Sequence, residues 1–182
     1  MAGVEFFLIG EELWYRKDGI SKMLSEKDHE LIALILDRIR DNYPSAYKAL
    51  ESQYDSSSLN VYYQRFLIVR RFCKCNFGQL DTTAIDVDNE QSFKMEKVQC
   101  PLRGECPYEG VVCLPVFNSR LSDAQHRVMK LFYEGLSKED ISERLFISPE
   151  TVKNHIRNAY YKLGVHTKAE FISLANKTNM FN

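Results

Sequence analysis

Four helix-start signatures follow one another between Ser122 and Glu170, and they constrain this chain more tightly than anything else in it. Ser122-x-x-Gln125, Ser137-x-x-Asp140 and Thr167-x-x-Glu170 each pair a capping hydroxyl with an amide or acid three residues on, which can reach back to the cap's own N–H. Ser148 followed by Pro149 is the fourth signature, because proline in a first helical turn gives up an N–H that has no partner there anyway. Four short helices are therefore specified in the C-terminal third. Gly135 lies at the first break and Gly164 just past the third helix, where a left-handed cap is needed. Ala124, Val128, Leu131 and Phe132 line the first helix, Ile141 and Leu145 the second, and Phe171, Leu174 and Ala175 the fourth.

The third helix, 149–163, carries the chemistry. Val152, Ile156, Ala159 and Leu163 recur at helical spacing as one narrow apolar stripe that packs inward. The opposite side carries Asn154, Arg157, Asn158 and Tyr161, flanked by Lys153 on one edge and Thr151 and His155 on the other, donors that can reach phosphates and base edges. A short helix, a tight turn at Phe146-Ile147-Ser148 and a longer helix with a polar outer face make a helix-turn-helix. Charge agrees in a modest way. The net charge is −1. From Leu121 onward nine Lys or Arg stand against seven Asp or Glu, whereas residues 1–120 hold fifteen against eighteen. A small positive patch, not a polycationic tail, is implied.

Glu134-Gly-Leu-Ser137, Ile141-Ser-Glu-Arg-Leu145, Ile147-Ser, Thr151-Val-Lys-x-His155 and Lys162-Leu-Gly-Val165 stand in one register, and with them Leu121 to Leu174 resembles the LuxR-type (GerE-like) helix-turn-helix domain of bacterial transcription regulators. That resemblance covers only the last third of the chain. It implies that the third helix enters the major groove of double-stranded DNA. Thr151, Val152 and Lys153 then approach bases, Asn154 and Asn158 share the outward face, and His155, Arg157 and Lys162 hold phosphates. Gln125-His126 departs from the pattern, since an Arg-Glu pair is common there. The resemblance also makes the fourth helix a candidate homodimer contact.

The first domain, expected over residues 1–118, is more mixed. Val4 to Ile9 is an apolar run of strand length. Ser25-Glu26-Lys27-Asp28 reads as a capping box before a wide stripe of Leu31, Ile32, Ile35, Leu36 and Ile39. A second helix can start at Pro44, with Asp55 to Ser58 a loop. Val61 to Phe77 is expected as a helix passing into a strand, and Ser92 to Val98 as a half-buried strand. A phosphoacceptor domain is rejected. Asp55 follows Glu51-Ser52-Gln53-Tyr54 rather than a hydrophobic strand, and no Lys-Pro occurs. The fold class expected is mainly α with a small β component: an N-terminal α+β domain and a four-helix C-terminal domain at 119–182.

Five cysteines, an odd number between positions 73 and 113, suit a metal or thiol role in a reducing compartment better than a disulfide framework. Cys75, Cys100, Cys106 and Cys113 are the candidate ligands of one zinc ion, with Cys73 the spare. The Cys100-x5-Cys106-x6-Cys113 spacing is wider than structural zinc sites usually use.

No apolar run approaches the roughly 20 residues of a membrane span, and the start lacks a secretory signal, so a cytoplasmic protein is expected. The reading is a sequence-specific DNA-binding transcriptional regulator and not an enzyme. The alternatives are a redox- or metal-responsive regulator that takes its input at the cysteines, and a thiol or metal enzyme. The enzyme has little to draw on, for His29 is the only histidine before the C-terminal domain and no Cys-x-x-Cys, phosphate loop or Gly-x-Ser-x-Gly occurs.

Overall fold

The computed structural model describes residues 3–78, 80, 85–88 and 92–181. The chain divides into two compact units, residues 1–117 and 118–182. About half of it is helical, with one three-stranded sheet near the N-terminus.

Unit 1 opens with an antiparallel meander of β1 (Val4–Ile9), β2 (Glu12–Lys17) and β3 (Ile20–Met23), in that spatial order. Ile9 pairs with Glu12 and Lys17 with Ile20, so each connection is a two-residue turn. Asp18 and Gly19 both have positive φ, 51° and 76°, which is the twist-matched turn that Asp-Gly favours. The strands β2 and β3 were not expected. Asp18-Gly19 between Leu13-x-Tyr15 and Ile20 is the signal that marks them.

Three helices pack on one another, α1 (His29–Asn42), α2 (Pro44–Gln53) and α3 (Val61–Asn76), with α3 against β1 and β2. Their buried residues, Ile32, Ile35, Leu36 and Ile39, then Ala46 and Leu50, then Ile68, Val69, Phe72 and Cys73, join Val4, Phe6, Leu13 and Tyr15 in one core. Rings fill its centre. Phe6 stacks on Phe77 at 5.7 Å, and Tyr43 packs on Phe72, Phe93 and Phe117 at 5.9–6.0 Å.

Three local expectations are corrected. Val61 to Phe77 is one helix ending at Asn76, with no strand after it; Ile68, Val69, Phe72 and Cys73 fall on a single helical face, and their burial overrides the β propensity of the run. Ser92 to Val98 is not a strand. Phe93 makes one isolated bridge to Val87, while Lys94 N–H donates to Asp86 O and Glu96 N–H to Asn76 O, so the segment is pinned group by group. Ser25 is not the cap of α1, because Asp28 is the last residue before the helix.

Asp28 instead turns back. Its carboxylate accepts from Ser25 N–H and Oγ, from Tyr15 Oη at 3.0 Å and from the Lys22 ammonium. Burial pushes the Asp28 carboxyl up, but the hydrogen bonds from Lys22, Ser25 and Tyr15 outweigh it and hold it below the usual range. A depressed carboxyl stabilises the fold fully above its ordinary value of about 3.9 and loses that contribution as the pH falls through its lower folded value. Asp28→Asn should therefore flatten the acid limb of stability below pH about 4, measured by urea melts across that range. An unchanged acid limb would place the titration elsewhere.

Unit 2 is four helices: α4 (Asp123–Tyr133), α5 (Lys138–Leu145), α6 (Pro149–Leu163) and α7 (Lys168–Thr178). Each begins where its cap predicts. Ser122 and Ser137 form complete capping boxes with Gln125 and Asp140, and Ser148 and Thr167 accept the N–H of Thr151 and Glu170. Gly164 caps α6 at φ 67°. Phe146 caps α5 at φ 54°, a left-handed position unusual for an aromatic residue. Among the described residues, no helix is long and apolar enough to cross a membrane.

Candidate nucleic-acid interface

The turn from α5 into α6 is built from short-range bonds. Ile147 N–H donates to Ser142 O, the Ser148 and Thr151 hydroxyls bond at 2.8 Å, and Pro149 occupies the first position of α6. α6 is then held by its apolar stripe: Val152 and Ala159 are fully buried, Ile156 nearly so, and Leu163 partly. It packs on both α4 and α5. A helix fixed on one side in this way presents the other to solvent.

That outer side holds most of the expected contact residues. Lys153, Arg157 and Asn158 are exposed, and Thr151, Asn154 and His155 are half-exposed. Lys153 and Arg157 stand four residues apart and so share a face, continued by Tyr161, which is 90% exposed. On this face Lys153 pairs with Glu150 at 3.6 Å between two exposed side chains, an interaction worth little in water and easily given up to a phosphate.

One expectation changes. Val152 is 0% exposed and belongs to the core, so its side chain is not available to a base; the apolar stripe and the contact surface cannot share a residue. Lys162 is exposed and also reaches back within the domain, donating to Gln125 Oε1 on α4 at 2.8 Å and to Arg120 O at 3.3 Å. Gln125 thus links the capping box of α4 to the last turn of α6, and His126 packs on Phe181 at 5.1 Å. The pair that departs from the family pattern has its own contacts.

A groove beside the outer face, absent from the sequence reading, is lined by Lys138, Lys153, Arg157, Tyr161 and His166. Lys138 comes from the start of α5 and His166 from the loop after α6, so no periodicity within one helix could have gathered them.

The cysteines lie in unit 1. Cys73 is fully buried. Burial, together with the neighbouring Cys113, pushes the Cys75 thiol up to about 12. Burial likewise raises Cys113, which also feels Cys100 and Cys106. Among the described residues, no group of three or more His, Cys, Asp or Glu side chains stands as placed so as to hold a metal ion.

Residues 119–175 match the family described as bacterial regulatory proteins, luxR family, and form a GerE/LuxR-type helix-turn-helix domain. Over 55 residues the chain is 40% identical to a protein of Mycobacterium tuberculosis whose name assigns it provisionally to the HTH-type transcriptional regulators, covering 30% of this chain and 6% of that one. Over 59 residues it is 37% identical to the HTH-type transcriptional regulator MalT of Yersinia pestis, covering 32% of this chain and 6% of MalT. The chain thus spans a small fraction of the length of these curated relatives, and the family match lies within unit 2. No solved structure matches the chain.

Proposed function

We propose that this protein is a sequence-specific DNA-binding transcriptional regulator, acting in the cytoplasm, in which α6 enters the major groove of double-stranded DNA. The observation that carries the reading is the outer face of α6, where Lys153, Asn154, Arg157 and Asn158 project from a helix whose other side is locked into the domain core. In this reading Lys153 and Asn154 read base edges and Arg157 meets a phosphate. Lys138 extends the positive surface toward the backbone on one side, with the His166 ring beside it as a polar contact. One small module makes few contacts, so two copies on paired half-sites are expected, with α7 as the contact between them.

The test starts with selection of preferred sites from random duplexes by the full chain, followed by binding across a salt series. Arg157→Ala should weaken binding to preferred and unrelated duplexes alike and lower the salt slope by about 1. Lys153→Ala should cost about 1–3 kcal/mol on the preferred site and relax its sequence preference. If the full chain enriches no motif, or both variants bind as it does, α6 is not the reading element. A selected site that is an inverted or direct repeat supports pairing, and a single asymmetric site counts against it.

A further inference from the structure

Four of the five cysteines converge where the end of α3 meets the segment that follows residue 98. Cys75 is on the last turn of α3. Cys100, Cys106 and Cys113 lie in a stretch that forms turns but neither helix nor strand. The wide spacing along the chain is shortened in space by two consecutive turns. Arg103 N–H donates to Cys100 O, Cys106 N–H to Leu102 O and Glu109 N–H to Cys106 O. Cys113 lies within electrostatic reach of Cys75, Cys100 and Cys106.

Arg71 gives a second, independent indication. It sits one turn before Cys75, with Nη2 3.9 Å from Cys106 Sγ, and it acts electrostatically on Cys75 as well. Its Nε is buried without a hydrogen-bond partner. Among the described residues it makes no ion pair with a carboxylate. A half-buried guanidinium with an orphaned N–H needs an anion, and neutral thiols do not supply one.

We propose that Cys75, Cys100, Cys106 and Cys113 bind one Zn²⁺ as thiolates, with Arg71 and Arg103 facing the site as its counter-charges. Four thiolates around a divalent cation carry a charge of −2, which two guanidiniums offset. Arg103, which also pairs with Glu109 at 3.3 Å, lies within electrostatic reach of Cys113. As placed, no three of these sulfurs stand together as metal ligands, so the site closes by rotation of the thiols and settling of the turns that carry them. Thiolate-only ligation favours zinc over harder cations. The ion would tie residues 98–117 to α3. This does not rest on the DNA-binding reading.

Metal analysis of the full chain purified without chelator tests it, with roughly one zinc per chain expected. Cys73→Ala should keep that zinc, while Cys106→Ser and Cys113→Ser should lose it. Because a serine variant can fail to fold, the unaltered protein is also titrated with a mercurial in the presence of a colorimetric zinc reporter; release should track modification of four thiols. Arg71→Gln should speed zinc loss to a chelator by about tenfold, the equivalent of roughly 1.4 kcal/mol. Folded protein with no zinc above background overturns the proposal. So do iron with inorganic sulfide, a Cys75–Cys113 disulfide in place of metal, and chelator kinetics indifferent to Arg71.

Discussion

Asn76→Leu is expected to destabilise unit 1 by about 2–6 kcal/mol, a large share of what a domain of this size has to lose. Asn76 is fully buried at the end of α3. Its Nδ2 donates to Phe72 O at 2.9 Å and to Val112 O at 2.8 Å, and its Oδ1 accepts from Leu114 N–H at 2.7 Å. Its backbone carbonyl takes Glu96 N–H. One side chain thus satisfies backbone groups of a segment that has no ladder of its own. Leucine matches asparagine in shape but bonds to none of them, leaving the buried Val112 O and the part-buried Leu114 N–H without these partners at about 1–3 kcal/mol each. Urea melts give the size of the loss. Hydrogen exchange should place the new opening at 96–114, and protection there equal to that of the unaltered protein would mean that other bonds hold the segment.

No sequence pattern announces Asn76. An asparagine after Cys75 in a helix reads as a cap or a turn, and the carbonyl and N–H it serves lie some 36–38 residues downstream. The same limit hides the bond between Lys162 and Gln125, which joins two helices, and the groove that gathers Lys138 and His166. What could be read was local. Caps are bonds over three residues, so Ser122, Ser137, Ser148 and Thr167 mark the helix starts in their own neighbourhoods, and the inward stripe of α6 follows from its period. Where a local preference met a tertiary demand, the tertiary demand won: the β-rich run 61–77 became helix because one of its helical faces could fill the core. Val152 was misplaced for a related reason. A motif match carried it to the DNA face, while its own position in the stripe already assigned it to the interior.

The division of α6 into a buried and an exposed side separates two kinds of variant. Lys153 and Arg157 are exposed, and Lys153 makes only a solvent-facing ion pair, so their removal should leave stability within about 0.5 kcal/mol and act on binding alone. Residues beneath the helix behave in the opposite way, and Phe171 is the clearest case.

Phe171→Ala should cost unit 2 about 3–5 kcal/mol and with it most DNA binding, although Phe171 lies on α7, away from the α6 face. The ring is 0% exposed and packs within 6.1 Å of Phe132 on α4, Tyr160 on α6 and Phe181 after α7. Its ring thus touches both α4 and α6, so alanine opens a cavity beneath the helix proposed to read the groove. A unit of about sixty residues buries little surface relative to its length, and a loss of this size takes most of its margin. The outcome is distinguishable from that of Arg157→Ala. Phe171→Ala should lower the fraction of protein competent to bind, recoverable by cooling from the transition or by stabilising osmolytes, whereas Arg157→Ala leaves a fully folded protein that binds weakly. Hydrogen exchange in Phe171→Ala should rise across α4, α6 and α7 while the helices of unit 1 keep their protection. Loss spread over both units would mean that they unfold together, and retention of the α6 amides would show that the ring is not what holds that helix in place.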